Sequence, residues 1–252
     1  MVGTFKVVTM SSAVEEGVID IFNDHFYDAG KVNVDGSVLK CWKSGGHGDQ
    51  TFLQVLQNSC NPGFVKLGQL LGKEKLFSYI DKFGFGNKTG IDLSGEATGI
   101  LFPMNKVGNV ELATTAFGQG ISVTPIQQVA AVSAVVNGGV LYKPYIVKGI
   151  STNTNSSVKE LKKKKVRRVI SEKTSEIMRL ALESVVAYGG GKNAYIEGYR
   201  VGGKTGTAQI ADENGSGYLS GSSDIISSFA GVYPKEDSKV IIYASVHRGI
   251  FN

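Results

Sequence analysis

Residues that bind metals or form disulfides are scarce in this chain. Its 252 residues include two cysteines, three histidines and one tryptophan. The histidines are dispersed and do not share a metal-ligand spacing with the cysteines, so the sequence predicts no metal site, and no cofactor motif is present. Long apolar runs are also lacking, since none approaches the roughly 20 residues of a membrane-spanning helix. With 42% hydrophobic residues, the chain can instead bury a sizeable core, as one large domain or two lobes.

Acidic residues are the minority among the charged ones, 22 against 27 basic residues, which gives a formal net charge of +5 and a pI near 9.0. Most of the excess lies in the run Lys159–Arg168. Nucleic-acid-binding surfaces interleave aromatic with basic residues, and no aromatic residue occurs between Ile146 and Tyr188. We therefore reject nucleic acid as a partner and interpret the run as a solvated hairpin or linker.

The hydrophobic pattern predicts an α+β fold, with helices first and strands late. The predicted helices are Thr4–Glu16, Thr51–Asn58, Gly63–Leu71, Lys73–Phe83, Thr124–Asn137 and Ser171–Ala187. The predicted strands are Tyr199–Gln209, Ser227–Tyr233 and Val240–Val246, with a hairpin turn at Pro234–Ser238 between the last two. Most of the 33 glycines mark loops.

The strand segment Val201–Gln209 is the most informative part of the chain. Side chains alternate along a strand, so Lys204 and Gly206 are expected on one face and Thr205 and Thr207 on the other. Neighbouring glycines leave bare backbone that a ligand or another main chain can approach. A lysine beside exposed backbone N–H groups can hold a carboxylate and stabilise an oxyanion.

Two further polar motifs precede that strand. Ser59-Cys60-Asn61 lies between a predicted helix and Pro62, in a turn that projects the hydroxyl and the carboxamide in the same direction. Thr4-Phe5-Lys6 opens a helix near the start of the chain. A lysine-threonine-glycine triplet alone is a weak signal, but three such motifs in a fixed order are specific.

In this order the motifs resemble the signature of the penicilloyl serine transferases, S-x-x-K, then S-x-N, then K-T-G. The segments Ala116–Pro125 and Cys41–Gly48 extend the resemblance over nearly the whole chain, 1–252. The residues around the motifs are similar to those in the transpeptidase domain of class B penicillin-binding proteins. Within that class, it is similar to the sporulation-specific and septal members of Gram-positive bacteria.

The resemblance implies an antiparallel sheet of about five strands with helices on both faces, to which strands from a distant N-terminal part would contribute. It also implies an N-terminal membrane anchor outside this chain and a place on the extracytoplasmic face of the bacterial membrane. A final helix packed on the sheet would follow the last strand, so the chain is expected to be truncated at both ends.

The resemblance also assigns roles in acyl transfer from a D-alanyl-D-alanine peptide. Lys6 takes the proton of the nucleophilic serine, Ser59 relays a proton to the leaving nitrogen, and Asn61 holds the substrate amide. Lys204 is a second cation that keeps Lys6 neutral and helps to bind the terminal carboxylate. The other substrate-binding residues are Thr205, Gly206 and Thr207, and the Thr207 N–H forms half of an oxyanion hole.

One departure from the family pattern concerns the nucleophile. The family has serine three residues before the lysine, inside Gly-Ser-Thr-Phe-Lys, whereas this chain has Gly3 at that spacing from Lys6. Either Gly3 replaces the serine, or a serine between Gly3 and Thr4 is absent, for example as a modified residue or because vector residues precede Thr4. Thr4 is rotated away from the lysine's face of the helix and is no substitute. A chain with this sequence is expected to lack acyl-transfer activity.

The two cysteines, Cys41 and Cys60, form a possible redox pair. A bridge between them would stabilise the fold by roughly 3 kcal/mol, and an extracytoplasmic location would permit it. The alternative is two separate buried thiols that pack as small apolar residues. Because Cys60 lies between Ser59 and Asn61, a bridge would displace both side chains and lower activity.

Two residues of the neighbouring glycine-rich segment are given no firm role. His47, between glycines, is interpreted either as a substrate-loop residue or as a flexible, exposed histidine. Trp42 is interpreted as a packing residue.

Three functions share these motifs. The first is a D,D-transpeptidase that cross-links peptidoglycan stem peptides ending in D-Ala-D-Ala and is acylated by β-lactams, in partnership with a glycosyltransferase. The second is a penicillin-sensing or catalytically inactive scaffold domain, which Gly3 keeps open. The third is a serine β-lactamase, which would need a further group to activate the deacylating water.

Overall fold

The structure is a computed structural model that describes residues 2–151, 159–210, 219, 221, 224–233 and 240–247. The helices in this part of the chain are α1 (Val2–Glu15), α2 (Phe52–Gln57), α3 (Asn61–Lys82), α4 (Asn109–Ala116), α5 (Pro125–Val136) and α6 (Glu172–Tyr188). The strands are β1 (His25–Asp28), β2 (Lys31–Val34), β3 (Ser37–Lys40), β4 (Gly48–Thr51), β5 (Val140–Lys143), β6 (Gly149–Ile150), β7 (Lys159–Glu160), β8 (Lys164–Arg168), β9 (Gly202–Gln209), β10 (Ile225–Tyr233) and β11 (Val240–His247).

The three late strands form an antiparallel sheet in the order β11-β10-β9. Lys204 pairs with Ala230, and Ala230 pairs with Tyr243. These side chains share one face, on which α1 and α6 pack against β9. The α+β class, the antiparallel pairing and the face alternation are confirmed. The turn predicted at 234–238 lies outside the described residues.

The expected sheet of about five strands has three strands in the described part of the chain. Eight short strands, which the sequence did not reveal, form four separate pairs: β1 with β4, β2 with β3, β5 with β8, and β6 with β7. They are only two to five residues long. Such segments are too short to show a period in the sequence. The basic run supplies β7 and β8, and all five β8 residues are exposed, as expected for a solvated segment.

Helix α1 lies in the centre of the core and contacts α3, α5, α6 and the sheet. Phe5, Val8 and Met10 are fully buried within it. Its apolar residues are not confined to one stripe, which fits a helix that is surrounded by protein.

Local sequence signals explain where the other helices begin and end. Thr51 and Gln54 form a capping box at the start of α2, and Ser171 caps α6. Helix α3 contains a non-helical residue, Gly72 with φ 73°, and this break separates the two helices that the sequence predicted there. Among the described residues, no helix combines the length and the apolar character needed to span a bilayer.

Candidate active site

Three elements meet at one cleft of about 360 Å³. Helix α1 contributes Lys6, the turn between α2 and α3 contributes Ser59 and Asn61, and strand β9 lies along the opposite side. Ser59 and Lys204, whose side chains are hydrogen-bonded, are 145 residues apart in the sequence. The structure thus brings together Lys6, Ser59, Asn61 and Lys204, the four side chains to which the resemblance assigns one reaction.

The two lysines bind the same hydroxyl. Lys6 Nζ lies 3.0 Å from Ser59 Oγ, and Lys204 Nζ lies 2.9 Å from the same oxygen. Lys6 also donates to the Ser59 carbonyl oxygen at 2.8 Å and to Asn61 Oδ1 at 2.7 Å. Lys204 donates to the Thr205 carbonyl oxygen at 3.0 Å. A proton can therefore pass between the two amines through one hydroxyl.

Burial disfavours the charged form of both amines. Lys6 is 3% exposed and Lys204 is fully buried. Desolvation lowers the pKa of Lys6 to about 7, against a smaller opposing effect of the nearby thiols of Cys60 and Cys41. Desolvation also lowers the pKa of Lys204, and the charge of Lys6 lowers it further. At neutral pH a large fraction of Lys6 is a free base, as a general base requires.

Ser59 is held in an unusual backbone conformation. Its φ is +52°, in the left-handed region that side-chain-bearing residues seldom adopt. Ser59 is the single residue between Asn58, at the C-cap of α2, and Cys60, at the N-cap position of α3. Strain of this kind tends to be kept at functional sites. Here it directs the Ser59 hydroxyl between the two lysines.

The residue one helical turn before Lys6 is Gly3, which lines the cleft without a side chain. A Cβ on Gly3 would overlap Gly206 Cα and the Thr205 carbonyl oxygen, and a Cβ on Gly206 would lie 2.9 Å from the Thr4 nitrogen. Helix α1 and strand β9 therefore touch backbone to backbone. No nucleophilic hydroxyl is present at the spacing where the family carries one.

Strand β9 places its next three residues along the cleft, as the sequence predicted. Thr205 is half-buried with Oγ1 3.4 Å from Lys204 Nζ, and Thr207 is exposed. Gly190, which was not predicted as a site residue, also lines the cleft, because α6 ends beside the strand.

Trp42 also lines the cleft, and its interpretation as a packing residue was wrong. Its side chain is 68% exposed, and its Nε1–H donates to the Asn58 carbonyl oxygen at 2.7 Å. Its ring packs edge-on against His47 at 5.3 Å between centroids. An exposed indole at the mouth of a cleft is suited to contact a ligand.

The two cysteines are both buried and both free thiols in this structure. Their sulfur atoms belong to a cluster with Asp28 and His47 whose ligand atoms all lie within 4.8 Å of one another. The possible bridge is therefore not formed here, although the sulfur atoms are close. The prediction of a redox pair remains open.

His47 is not exposed, contrary to one of the two interpretations. Its side chain is 6% exposed, and its Nδ1 lies 2.8 Å from Asp28 Oδ2. Asp28 was missed altogether from the sequence. Nothing in the sequence around Asp28 indicates that it lies beside Cys41, His47 and Cys60.

Known proteins resemble this chain over almost its whole length. The model of the penicillin binding protein transpeptidase domain matches residues 3–249. Stage V sporulation protein D of Bacillus subtilis is 59% identical over 244 residues, which cover 96% of this chain and 37% of that protein. Penicillin-binding protein PbpB of Mycolicibacterium smegmatis is 31% identical, over 94% of this chain and 37% of that protein. The chain thus spans less than half the length of these curated relatives.

Solved structures of penicillin-binding proteins have the same fold as this chain. Penicillin binding protein 3 of Mycobacterium tuberculosis in its apo form superposes with a TM-score of 0.90 at 28% identity, over 98% of this chain and 56% of that chain. The same protein complexed with ampicillin gives a TM-score of 0.90 at 27% identity, over 98% and 55% of the two chains. Family match, sequence relatives and fold coincide with the lysine-serine-lysine cleft. The chain belongs to the penicillin binding protein transpeptidase domain family.

Proposed function

We propose that this chain is the transpeptidase domain of a class B penicillin-binding protein, a D,D-transpeptidase of peptidoglycan synthesis. The observation that carries the proposal is the shared hydroxyl of Ser59, bonded to both Lys6 and Lys204 one helical turn from position 3. The sporulation role of the 59% identical relative supports a sporulation-type member of the class.

The proposed reaction requires a serine at position 3. Its Oγ attacks the carbonyl of the penultimate D-alanine, an ester bond forms, and the peptide bond to the terminal D-alanine breaks. Neutral Lys6 takes the serine proton, and Ser59 passes a proton to the departing nitrogen. The amino group of a second stem peptide then attacks the ester, which forms the cross-link and frees the serine.

The remaining cleft residues orient the substrate in this proposal. Asn61 holds the substrate amide, and Lys204 with Thr205 binds the terminal carboxylate. The N–H groups of Thr207 and of residue 3 form the oxyanion hole, where removing one donor typically costs about 2.7–4 kcal/mol of transition-state stabilisation. A β-lactam would enter as a stem-peptide mimic and acylate the same serine.

Gly3 supports a second candidate for the chain with this sequence, a domain that binds its ligands without turnover. Glycine offers no nucleophile, and the contact between Gly3 and Gly206 closes the space that a serine side chain needs. In that case the domain senses penicillin non-covalently or serves as a scaffold in the cell-wall machinery.

The proposed setting follows from the family. We place the domain at the extracytoplasmic face of the bacterial membrane, held by an N-terminal anchor in the longer protein and working beside a glycosyltransferase. Stem peptides ending in D-Ala-D-Ala and β-lactams are its proposed ligands. The related Mycobacterium tuberculosis protein has been crystallised with aztreonam and with ampicillin.

The test is intact mass after incubation with a fluorescent penicillin. Three proteins are compared: the chain with Gly3, the variant Gly3→Ser, and a variant with serine inserted between Gly3 and Thr4. We expect no covalent adduct with Gly3 and a stable adduct, at the new serine, in at least one serine-bearing variant. Folding is checked by circular dichroism.

Two results would overturn the transpeptidase proposal. If folded serine-bearing variants form no adduct, the binding-only candidate takes its place. If the adduct forms and is lost within seconds, the domain is a β-lactamase.

A further inference from the structure

Four side chains from four separate places in the fold converge beside the cleft. Asp28 ends β1, Cys41 follows β3, His47 precedes β4, and Cys60 caps the start of α3. One ligand atom from each, a carboxylate oxygen, two sulfurs and an imidazole nitrogen, lies within 4.8 Å of every other. The active-site chemistry proposed above uses none of these four side chains.

Two of the four side chains are fully buried, and the contacts of the cluster run through Asp28 Oδ2 and His47 Nδ1. Asp28 is 1% exposed, and Cys60 is fully buried. Asp28 Oδ2 lies 2.8 Å from His47 Nδ1 and 3.3 Å from Cys60 Sγ, and Cys41 Sγ lies 3.3 Å from His47 Nδ1. The Cys60 thiol and the His47 imidazole thus contact the carboxylate oxygen, and the Cys41 thiol contacts the imidazole.

We propose that Asp28, Cys41, His47 and Cys60 form a binding site for a single zinc ion. Zinc takes four ligands of these types in tetrahedral geometry, with bonds of about 2.0–2.3 Å. Adjacent ligand atoms of such a tetrahedron are roughly 3.3–3.8 Å apart. The contacts present here are 2.8 Å and 3.3 Å, and every ligand atom lies within 4.8 Å of the others. On binding, both thiols lose their protons to solvent, and the thiolates, the carboxylate and the neutral imidazole coordinate the ion.

The backbone around the cluster is arranged to hold the ligands in place. The Gly30 N–H donates to Asp28 Oδ1 at 2.8 Å, which orients the carboxylate and leaves Oδ2 facing the other three groups. Gly46, with φ +79°, lies so close to the Asp28 carbonyl oxygen that a Cβ would overlap it. The glycine therefore lets the loop bring His47 against Asp28. Hydrogen bonds of this kind to a ligating carboxylate are typical of metal sites.

A zinc ion here would fix the catalytic turn. Cys60 lies directly between Ser59 and Asn61, and Cys41 precedes Trp42 at the mouth of the cleft. One ion would tie both segments to β1 and the glycine loop. Metal binding itself does not depend on the proposed acyl transfer, so the two proposals can fail separately.

The chain contains a matched control. His25 Nδ1 lies 2.8 Å from Asp49 Oδ2, the same distance as in the His47–Asp28 pair, but both of its side chains are more than half exposed. This pair lies on β1 and β4 and is not part of the cluster.

The test is metal binding by the reduced, metal-free 252-residue chain, with a phosphine reductant that keeps the thiols free. Zinc affinity is measured against a chromophoric chelator, and cobalt serves as a spectroscopic probe. We expect one zinc per chain and a sulfur-to-cobalt charge-transfer band that weakens in Cys41→Ser. His47→Ala should lower zinc affinity by at least about 100-fold, and His25→Ala should leave it unchanged.

Circular dichroism and thermal unfolding check that the variants fold; where His47→Ala does not, His47→Gln replaces it. The proposal is wrong if the reduced chain binds no zinc. It is equally wrong if His47→Ala and His25→Ala bind zinc alike, or if the cobalt complex shows no sulfur charge transfer.

Discussion

The lysine cleft and the thiol cluster lie on either side of the same turn, 59–61. They differ in how their buried charged groups are stabilised. The lysine cleft, formed by Lys6, Ser59 and Lys204, brings two cations to one hydroxyl. The thiol cluster, formed by Asp28, Cys41, His47 and Cys60, brings several donors to one carboxylate. In the cleft the positive charges of the two lysines repel each other, and in the cluster hydrogen-bond donors stabilise the single negative charge of Asp28.

The consequences for reactivity are also opposite. In the cleft, burial lowers the pKa of Lys6 to about 7 and produces a free base. In the cluster, burial opposes ionisation of Asp28, but hydrogen bonds from Cys41, His47, Gly30 and Cys60 outweigh it and lower the pKa of that carboxyl. Burial raises the pKa of the Cys60 thiol, with a further contribution from Asp28. The cleft therefore holds a base that can accept a proton, whereas the thiols need a metal or an oxidant to react.

The largest expected effect separates the two regions by activity. Lys6→Ala, made in the serine-bearing variant that forms the adduct, should slow acylation by fluorescent penicillin about 10²–10⁴-fold because the proton acceptor is lost. The exposed Lys66 on α3 gives the control, and Lys66→Ala should acylate at the parent rate. Stopped-flow fluorescence measures both. Equal rates for Lys6→Ala and its parent would remove Lys6 from the mechanism.

The second prediction separates them by stability. Asp28→Asn removes the charge that Cys41, His47, Gly30 and Cys60 stabilise by hydrogen bonds, and we expect a loss of about 3 kcal/mol in the free energy of unfolding. Asp49→Asn, in the exposed pair, should change it by less than about 0.5 kcal/mol. Urea unfolding at pH 7 measures both.

The same variant makes a pH prediction for stability. The pKa of Asp28 is lowered by folding, so its contribution is present above its unfolded pKa and is lost as the pH falls into the acid range. The difference between the parent and Asp28→Asn should therefore shrink on acidification. A constant difference would show that the carboxylate charge is not what stabilises the cluster.

The two regions also differ in how far the sequence predicted them. Lys6, Ser59, Asn61 and Lys204 were predicted because each stands in a short ordered motif with a defined local structure. The cluster was missed because its members join only through tertiary contacts. Asp28 ends a four-residue strand and has no motif around it, and His47 between glycines resembles a mobile loop residue until β1 is packed beside it.

The fold shows the same division. The long helices and the three late strands were predicted within a few residues, since each carries a period, a cap or a break such as Gly72. The strand pairs of two to five residues were not predicted, because such segments are stabilised by their partner and not by their own sequence. The contact between Gly3 and Gly206 was also beyond local reasoning, although glycine at each position was visible.

The third prediction concerns the pH dependence of the cleft. If neutral Lys6 is the base, acylation of the adduct-forming serine variant should fall about tenfold per pH unit below pH 7 and level off above it. The sign follows from the lowered pKa, because protonation below about pH 7 removes the acceptor. A rate that is flat between pH 5 and pH 8 would show that Lys6 is not the base.

The fourth prediction connects the two regions. Oxidation of Cys41 and Cys60 to a disulfide would pull the sulfurs from within 4.8 Å to about 2.05 Å and shift Ser59 and Asn61. We expect acylation of the adduct-forming serine variant to fall at least about tenfold in the oxidised protein, since small displacements at a reacting site are costly. Cys41→Ser should be insensitive to oxidant. Equal rates in reduced, oxidised and Cys41→Ser samples would leave the thiols as packing residues.

The smallest effect concerns the residue where the two regions join. Ser59 has φ +52°, a conformation that costs a non-glycine residue roughly 1–2 kcal/mol. Glycine adopts it freely but loses about 0.5–1 kcal/mol through the unfolded state. Ser59→Gly and Ser59→Ala both remove the hydroxyl shared by Lys6 and Lys204, so they should lose acylation equally. They differ in backbone strain, and we expect Ser59→Gly to be the more stable by up to about 1 kcal/mol in urea unfolding.

A matched pair tests whether this difference belongs to the backbone alone. Asp35, in the turn between β2 and β3, has φ +47° and lies away from the cleft. Asp35→Gly should be more stable than Asp35→Ala, in free energy of unfolding, by a similar amount. If the increments agree, Ser59 carries ordinary left-handed strain, which the packing of Cys60 and the two lysines must offset to keep its hydroxyl in position. If Ser59→Gly is no more stable than Ser59→Ala, the turn does not impose this conformation, and the Ser59 hydroxyl is positioned by the lysines instead.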